Sequence, residues 1–279
     1  MFDIKQVILA SYVGLFLLSG CDNDQKPIHL NEVIFHPTFN NQKLTCDSVI
    51  SHSNNYWHYS QLQFFISIIE LQDNTGTWQK ASLLTSAYQT KNVALLGEYC
   101  QQPKVNDQAI SNTNWSLKFD KNTNLNKATH IRFTLGLPFA INHLNPLTQK
   151  SPLNIPSMFW VWQQGHKFLR IEMAAHNDNW LFHLGSVGCQ ALSPLRMPSQ
   201  ECRYPNRYIV ELPLSKENAN IVFDLANLLN QILITEQNSC QSSPQQDSCQ
   251  RLFANLRKKN EHSVFQSVKQ KQQKERPHD

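Results

Sequence analysis

Cysteines constrain this chain more than any other feature of its sequence. A single lysine near the N-terminus is followed by an apolar run over residues 7–18, and about twelve residues is typical of a signal peptide rather than of a membrane span. The run predicts export to an oxidising compartment, in which cysteines pair. Beyond Cys21 the cysteines are even in number and predict three disulfides: Cys46, Cys100, Cys189, Cys202, Cys240 and Cys249.

The spacing of these cysteines favours one pairing. Closing a short loop costs less chain entropy than closing a long one, so the cysteines that lie near each other in sequence pair first and the other two pair by elimination. A metal cluster of thiolates is the alternative, and it is disfavoured because the sequence has no Cys-x-x-Cys spacing. The predicted disulfides are Cys189 with Cys202, Cys240 with Cys249, and Cys46 with Cys100.

The apolar run ends in "LSGC", which resembles the lipobox of bacterial lipoproteins. This predicts a lipoprotein signal peptide over residues 1–20, lipidation of Cys21 and a tether over residues 21–29. Asp22 favours retention at the inner membrane, on its periplasmic face. The alternative is an ordinary signal peptide with a chance cysteine, and the polar "DNDQKP" directly after Cys21 weakens it.

Most of the remaining chain consists of short segments rich in aromatic and β-branched residues, which are typical of strands. Their spacing indicates a sandwich or barrel, and no alternation of strands with helices appears. We therefore predict an all-β, disulfide-bonded antiparallel β-sandwich with a few short helices over residues 30–256. The predicted strands cover residues 30–39, 61–72, 93–100, 115–120, 129–137, 159–164, 167–175, 180–185, 207–214 and 220–229.

The charge of the chain is concentrated at its C-terminus. The net charge is +4, and residues 257–279 are rich in lysine and glutamine with little to bury, which predicts a basic, solvated tail. The rest of the chain carries few charges and gives no sign of a nucleic-acid surface. The sequence has no Gly-x-Ser-x-Gly, no His-Glu-x-x-His and no phosphate loop, so we do not expect an enzyme.

Three of the eleven histidines stand among apolar or structural residues: His36, His143 and His183. Seven others fall in polar loops, at strand ends or near the termini, where a solvated histidine is the rule: His29, His52, His58, His130, His176, His262 and His278. Each of the three taken alone is more often a core histidine than a ligand. The tryptophans Trp160 and Trp162 in "MFWVWQ" lie on one face if the segment is a strand, and core packing is the usual role of such rings.

A longer pattern resembles a known family. The segments "FTLGLPFAINHLNPLTQKSPLNIPSMFWVWQQGHKFLRIEM", "HLGSVGC", "CRYPNR", "FDLANLL" and "CQSSPQQDSCQRLFANL" follow one another in an order that is similar to the MbnP family of copper proteins. The resemblance runs from about Cys46 to Leu256. It implies an exported β-sandwich that holds one copper ion with histidine imidazoles and a kynurenine formed from a tryptophan, and it joins Cys46 to Cys100.

Carried over residue by residue, the resemblance implies copper ligands at His143 and His183, with His36 as a third candidate. The candidates for the modified tryptophan are Trp160 and Trp162, followed by Trp78. The implied modifying partner is an MbnH-like diheme cytochrome c peroxidase. In some proteins of this type the strand that corresponds to "LQFFISII" supplies a histidine, whereas this sequence has Ser67.

The sequence thus predicts a lipid-anchored periplasmic protein that binds copper for acquisition or handling. Imidazole is a good copper ligand, whereas the indole nitrogen is a poor one until its ring is opened to an aromatic amine. The alternative from another class is a metal-free β-sandwich interaction module that serves as an accessory lipoprotein to a heme peroxidase or transporter. Copper content and the presence of kynurenine distinguish the two.

Overall fold

The structure is a computed structural model that describes residues 31–100, 104–105, 108–109, 113–214 and 219–268. The predicted signal peptide, Cys21, the tether and residues 269–279 of the predicted tail lie outside the described residues. Within the described residues no helix is long and apolar enough to cross a membrane.

The smaller of the two main sheets combines strands that are far apart in the chain. Its strand order is β10-β1-β15-β16, and β2 pairs with β1. β1 and β15 run parallel to each other, while the other pairs are antiparallel. The strands are β1 (Glu32–Phe39), β2 (Gln42–Lys43), β10 (Ser116–Lys118), β15 (Asn220–Asp224) and β16 (Phe265–Ser267).

The larger sheet has nine antiparallel strands. The longest of them, β4, pairs with β3, β5, β6, β11 and β12. Residues 61–67 of β4 are all buried, because β4 pairs on both sides with other strands of the sheet, and they include the polar Gln61, Gln63 and Ser67. The strands are β3 (Ile50–His52), β4 (Asn55–Asp73), β5 (Trp78–Lys80), β6 (Val93–Tyr99), β9 (Thr113–Asn114), β11 (Ala128–Leu135), β12 (Lys167–Ala174), β13 (Asn179–Gly185) and β14 (Tyr208–Pro213).

Short helices and turns connect the strands. A separate two-stranded hairpin is formed by β7 (Lys104–Val105) and β8 (Gln108–Ala109). The α-helices are α1 (Phe139–Asn142), α2 (Leu225–Leu228) and α3 (Asp247–Leu256), and the 3₁₀ turns are Leu125–Lys127, Pro146–Thr148, Pro156–Met158, Glu236–Asn238 and Asn260–His262.

An aromatic core lies between the two sheets. Phe35 and Phe223 of the smaller sheet contact the ring of Phe64 on β4 at centroid distances of 6.0 and 5.3 Å. Such packing of two strand layers through their apolar faces is the sandwich arrangement. The predicted all-β sandwich with few helices is therefore confirmed.

The three predicted disulfides are present. Cys46 is bonded to Cys100, Cys189 to Cys202 and Cys240 to Cys249. The first of these joins the loop before β3 to the end of β6 across 54 residues. The local pairs close loops of 13 and 9 residues, as loop-closure entropy favours.

Three expectations about local structure are wrong. Residues 225–228, which belong to the predicted strand over 220–229, form α2. Residues 257–279 are predicted to form a solvated tail with little to bury, yet in its described part, residues 257–268, Val264 and Phe265 are 1% and 2% exposed, because β16 extends the smaller sheet beside β15. Residues 159–164 were expected to form a strand. Instead Phe159 makes an isolated bridge with His166, and residues 162–164 form a turn, because the chain reverses at Gly165, whose φ is +78°.

Candidate functional site

Polar side chains occupy one face of the larger sheet where β4, β12 and β13 lie side by side. Glu172 on β12 is paired in register with Gln61 on β4, and Arg170 with His183 on β13. Paired residues of antiparallel strands share a face, so these four side chains lie on the same side of the sheet. With Lys167 and Ser157 they form what we call the polar cluster.

His183 is held by Glu172 within this cluster. Its Nε2 lies 2.8 Å from Glu172 Oε1, and the histidine is 6% exposed. A carboxylate only accepts hydrogen bonds, so Nε2 carries the proton and donates it. The other ring nitrogen, Nδ1, is buried without a hydrogen-bond partner among the residues that the structure describes. His183 therefore offers a buried lone pair that no described residue engages, on a ring that Glu172 holds in place.

The neighbours of Glu172 lower its pKa, whereas burial is the main cause of the lowered pKa of His183, against the raising effect of its hydrogen bond to Glu172. Burial alone would raise the pKa of Glu172, but hydrogen bonds from His183 and Arg170 and the charge of Arg170 lower it to about 2. Burial lowers the pKa of His183, and the nearby Lys167 contributes. Burial, together with the charge of Arg170, also lowers the pKa of Lys167 to about 8.

Backbone and side-chain contacts hold the rest of the cluster in place. Lys167 Nζ donates to the carbonyl oxygen of Ser157 at 3.0 Å, as does Arg170 Nη1 at 2.5 Å. Gln61 Nε2 donates to Gln63 Oε1 at 2.6 Å, and Gln61 Oε1 is buried without a partner among the described residues. The cluster thus contains two unsatisfied acceptors beside paired charges, which is costly in a purely structural site.

Trp160 lies directly over this face. Its ring centroid is 6.5 Å from that of His183, with the planes tilted by 53°. It also packs against Gly185, where an added Cβ would lie 2.4 Å from Trp160 Cζ3. A glycine two residues after His183 on the same face of β13 is therefore what admits the indole. Trp160, a candidate for the modified tryptophan, therefore contacts His183, a candidate copper ligand.

Trp162 and His143 form the second pairing. Trp162 Nε1 donates to the carbonyl oxygen of His143 at 2.7 Å, and His143 Nδ1 lies 3.4 Å from the carbonyl oxygen of Trp162. His143 is 1% exposed, and burial lowers its pKa. Both of its ring nitrogens have neighbours, since Nε2 lies 3.1 Å from Asn142 Nδ2 and 3.5 Å from Cys202 Sγ.

The other predicted site residues lie elsewhere. Val33, Phe35 and Pro37 of β1 are buried, so His36 faces away from the core, and its Nε2 lies 2.7 Å from Asn220 Oδ1. Trp78 lies on β5 beneath the guanidinium of Arg132, at 4.2 Å.

The predicted set of three histidine ligands is not assembled. Among the described residues, one group of three or more His, Cys, Asp or Glu side chains has all its ligand atoms within 4.8 Å of one another, and it consists of His143, Cys189 and Cys202. His36, His143 and His183 therefore do not converge. Ser67, where a histidine can stand in the family, is buried and donates to the carbonyl oxygen of Gly136 at 2.7 Å, which is a structural role.

Sequence reasoning missed the residues that orient His183. The alternation "RIEM" places Arg170 and Glu172 on one face of a predicted strand with apolar residues on the other. Two opposite charges on one face of a strand indicate an ion pair there, and this pattern could have identified Arg170 and Glu172. His166, which sequence reasoning also passed over, is fully buried, with its ring nitrogens 2.9 Å from the carbonyl oxygens of Asn142 and Leu153, and it is a structural residue.

Comparison with known proteins gives a family and a fold. The MbnP family matches residues 29–242. Among solved structures, MbnP from Methylosinus trichosporium aligns with a TM-score of 0.66 and 20% sequence identity, over 80% of this chain and 86% of that one. A search of curated proteins finds no match.

Proposed function

Since the chain belongs to the MbnP family, we propose that it is an exported copper-binding protein in which His183 is a ligand through Nδ1. One observation carries this proposal. His183 donates from Nε2 to Glu172 while Nδ1 is buried and unpartnered in the described part of the chain. Histidines that bind metals almost always donate their other ring N–H to a carboxylate, carbonyl or water, so the pair fits a metal.

The surroundings of Nδ1 suit copper. Imidazole is a good copper ligand, and the neutral form that burial favours in His183 leaves its lone pair available. Of the three candidate tryptophans, Trp160 makes a ring contact with His183, at 6.5 Å between centroids. When its ring is oxidised to kynurenine, an aromatic amine becomes a second nitrogen donor on the same face. We therefore assign the modification to Trp160 rather than to Trp162 or Trp78.

The proposal extends to location and partner. Cys21 would carry the lipid that anchors the mature chain to the periplasmic face of the inner membrane, and the protein would serve copper acquisition or handling. A diheme cytochrome c peroxidase of the MbnH type would supply the oxidising power for the tryptophan modification. The sequence of residues 18–21 and the family membership support this part of the proposal.

Copper content of the protein purified from its native envelope tests the ligand assignment. We expect about one copper per chain by elemental analysis, loss of that copper in His183→Gln, and retention in His36→Gln, which changes a histidine on the outer face of the smaller sheet. Copper that survives His183→Gln would disprove the ligand assignment.

Intact mass tests the modification. Conversion of tryptophan to kynurenine adds one oxygen and removes one carbon, and we expect this change in the native protein and in Trp162→Phe but not in Trp160→Phe. The same mass change in Trp160→Phe would move the assignment to another tryptophan.

The metal-free interaction module is the second candidate. The loop closed by Cys189 and Cys202 exposes Leu192, Leu195 and Met197 at 99%, 74% and 48%, and exposed apolar clusters often mark protein contacts. Native protein without copper and without kynurenine would favour this candidate.

A further inference from the structure

The disulfide between Cys189 and Cys202 contacts a buried histidine. His143 Nε2 lies 3.5 Å from Cys202 Sγ, and the ligand atoms of all three residues lie within 4.8 Å of one another. In the part of the chain that the structure describes, neither of the other two disulfides belongs to such a group. This disulfide therefore has a nitrogen donor beside it that the others lack.

The hydrogen bonds around His143 determine which nitrogen carries the lone pair. Asn142 Oδ1 accepts from the backbone N–H of His166 at 2.8 Å, which leaves Asn142 Nδ2 to donate to His143 Nε2 at 3.1 Å. On the other side of the ring, Nδ1 faces the carbonyl oxygen of Trp162 at 3.4 Å, so the proton is on Nδ1. The lone pair of Nε2 therefore accepts from Asn142 Nδ2, and Cys202 Sγ lies 3.5 Å from the same nitrogen. A metal ion bound at Nε2 would replace this hydrogen bond, while the contact of Nδ1 with a carbonyl oxygen would orient the ring as outer hydrogen bonds orient a metal-binding histidine.

The two sulfurs differ in access. Cys202 is 4% exposed, whereas Cys189 is half-buried between the exposed residues Gly188 and Gln190. By contrast, Cys240 and Cys249 are both fully buried. Cys189 is therefore the more accessible of the two cysteines, and attack by a thiolate reductant at its sulfur makes Cys202 the leaving thiolate beside His143.

We propose that Cys189, Cys202 and His143 form a second copper site that opens when their disulfide is reduced. A dithiol reductant attacks Cys189 Sγ, the bond between the cysteine sulfurs breaks, and Cys202 leaves as a thiolate and takes up a proton. The second thiol of the reductant then releases Cys189, so two electrons and two protons pass to the disulfide and the reductant becomes a disulfide itself. Cu(I) displaces the two thiol protons and binds two thiolate sulfurs and His143 Nε2.

The donor set selects a soft ion. Thiolates favour Cu(I) and Zn²⁺, and Zn²⁺ in structural sites takes four ligands, whereas this group supplies three. The site is separate from the one proposed at His183, because it is oxidised and closed while the disulfide is intact.

Cu(I) titration of the full exported chain, before and after anaerobic reduction with a dithiol and desalting, tests the inference. A chromophoric Cu(I) chelator serves as competitor. We expect about one additional Cu(I) per chain after reduction, copper–sulfur scattering in X-ray absorption, and two new alkylated thiols at Cys189 and Cys202. The variant Cys46→Ser/Cys100→Ser lacks the other partly exposed disulfide, and it should still bind the additional Cu(I) after reduction.

The increment should vanish in Cys189→Ser/Cys202→Ser and its affinity should fall at least about tenfold in His143→Gln, by analogy with losses at metal-site histidines and their supports. An unchanged copper content after reduction, an increment that persists in Cys189→Ser/Cys202→Ser, or tighter binding of Zn²⁺ than of Cu(I) would overturn the inference. His183→Gln separates the two proposals, since it should remove the copper of the oxidised protein and leave the increment.

Discussion

A single carboxylate turns His183 from a buried histidine into an oriented one. Glu172 fixes the proton on Nε2 by accepting its hydrogen bond at 2.8 Å, and Arg170 keeps the carboxylate ionised by its charge and by hydrogen bonding to Oε1 at 2.7 Å. Without Glu172 the ring could rotate or exchange tautomers. Orientation of the ligand is therefore expected to contribute to copper affinity.

Glu172→Gln should lower copper affinity by about 10- to 100-fold, the range found when outer hydrogen-bond partners of metal-binding histidines are removed. Competition with a copper chelator measures the effect. Glu70→Gln is the matched control, because Glu70 on the same sheet pairs with Arg132 at 2.8 Å away from the cluster. Equal affinities of the two variants would contradict the orienting role.

At the scale of the element, β16 closes the smaller sheet with residues from a segment whose composition indicates solvent. Val264 and Phe265 are the buried apolar residues of its described part, and Phe265 contacts the rings of Phe133 and Phe223 at 5.4 and 5.3 Å. A short strand is stable here because its side chain completes an existing core. The average composition of residues 257–279 is polar, so composition alone did not predict β16.

Phe265→Ala should destabilise the protein by about 3–5 kcal/mol, the usual cost of removing a buried phenylalanine ring. Urea denaturation measures the free energy of unfolding. Leu147→Ala, at a leucine that is 92% exposed, should change it by less than about 0.5 kcal/mol. A small effect of Phe265→Ala would show that β16 does not contribute to the core in solution.

At the scale of the whole molecule, burial of several histidines couples folding to pH. Burial lowers the pKa of His143, His166 and His183 relative to the ordinary value of 6.5. As the pH falls through 6.5 the unfolded chain takes up protons at these positions before the folded chain does. Acid therefore favours the unfolded state in this range.

The urea midpoint should accordingly decrease between pH 7.5 and pH 5. His58→Gln/His176→Gln, which changes two exposed histidines, should keep the same dependence. Glu172 acts in a lower window, because its pKa of about 2 lies below the ordinary 4.5, and its stabilisation is lost as the pH falls from about 4.5 towards 2. A midpoint that stays level between pH 7.5 and pH 5 would contradict the contribution of the buried histidines.

The sequence alone determined the local properties of the protein. Strand segments, the sandwich class and the disulfide pairs depend on side-chain type, alternation and loop length, which are all readable along the chain. Tertiary structure decided which side chains form the site, because strand register and sheet packing determine which of them lie close together. Strand register places Glu172 and His183 on one face of the larger sheet. Near the turn at Gly165, Trp160 contacts His183 and Trp162 contacts His143. His36 lies on the outward face of β1, away from both. Side chains far apart in sequence meet only where the backbone pairing places them.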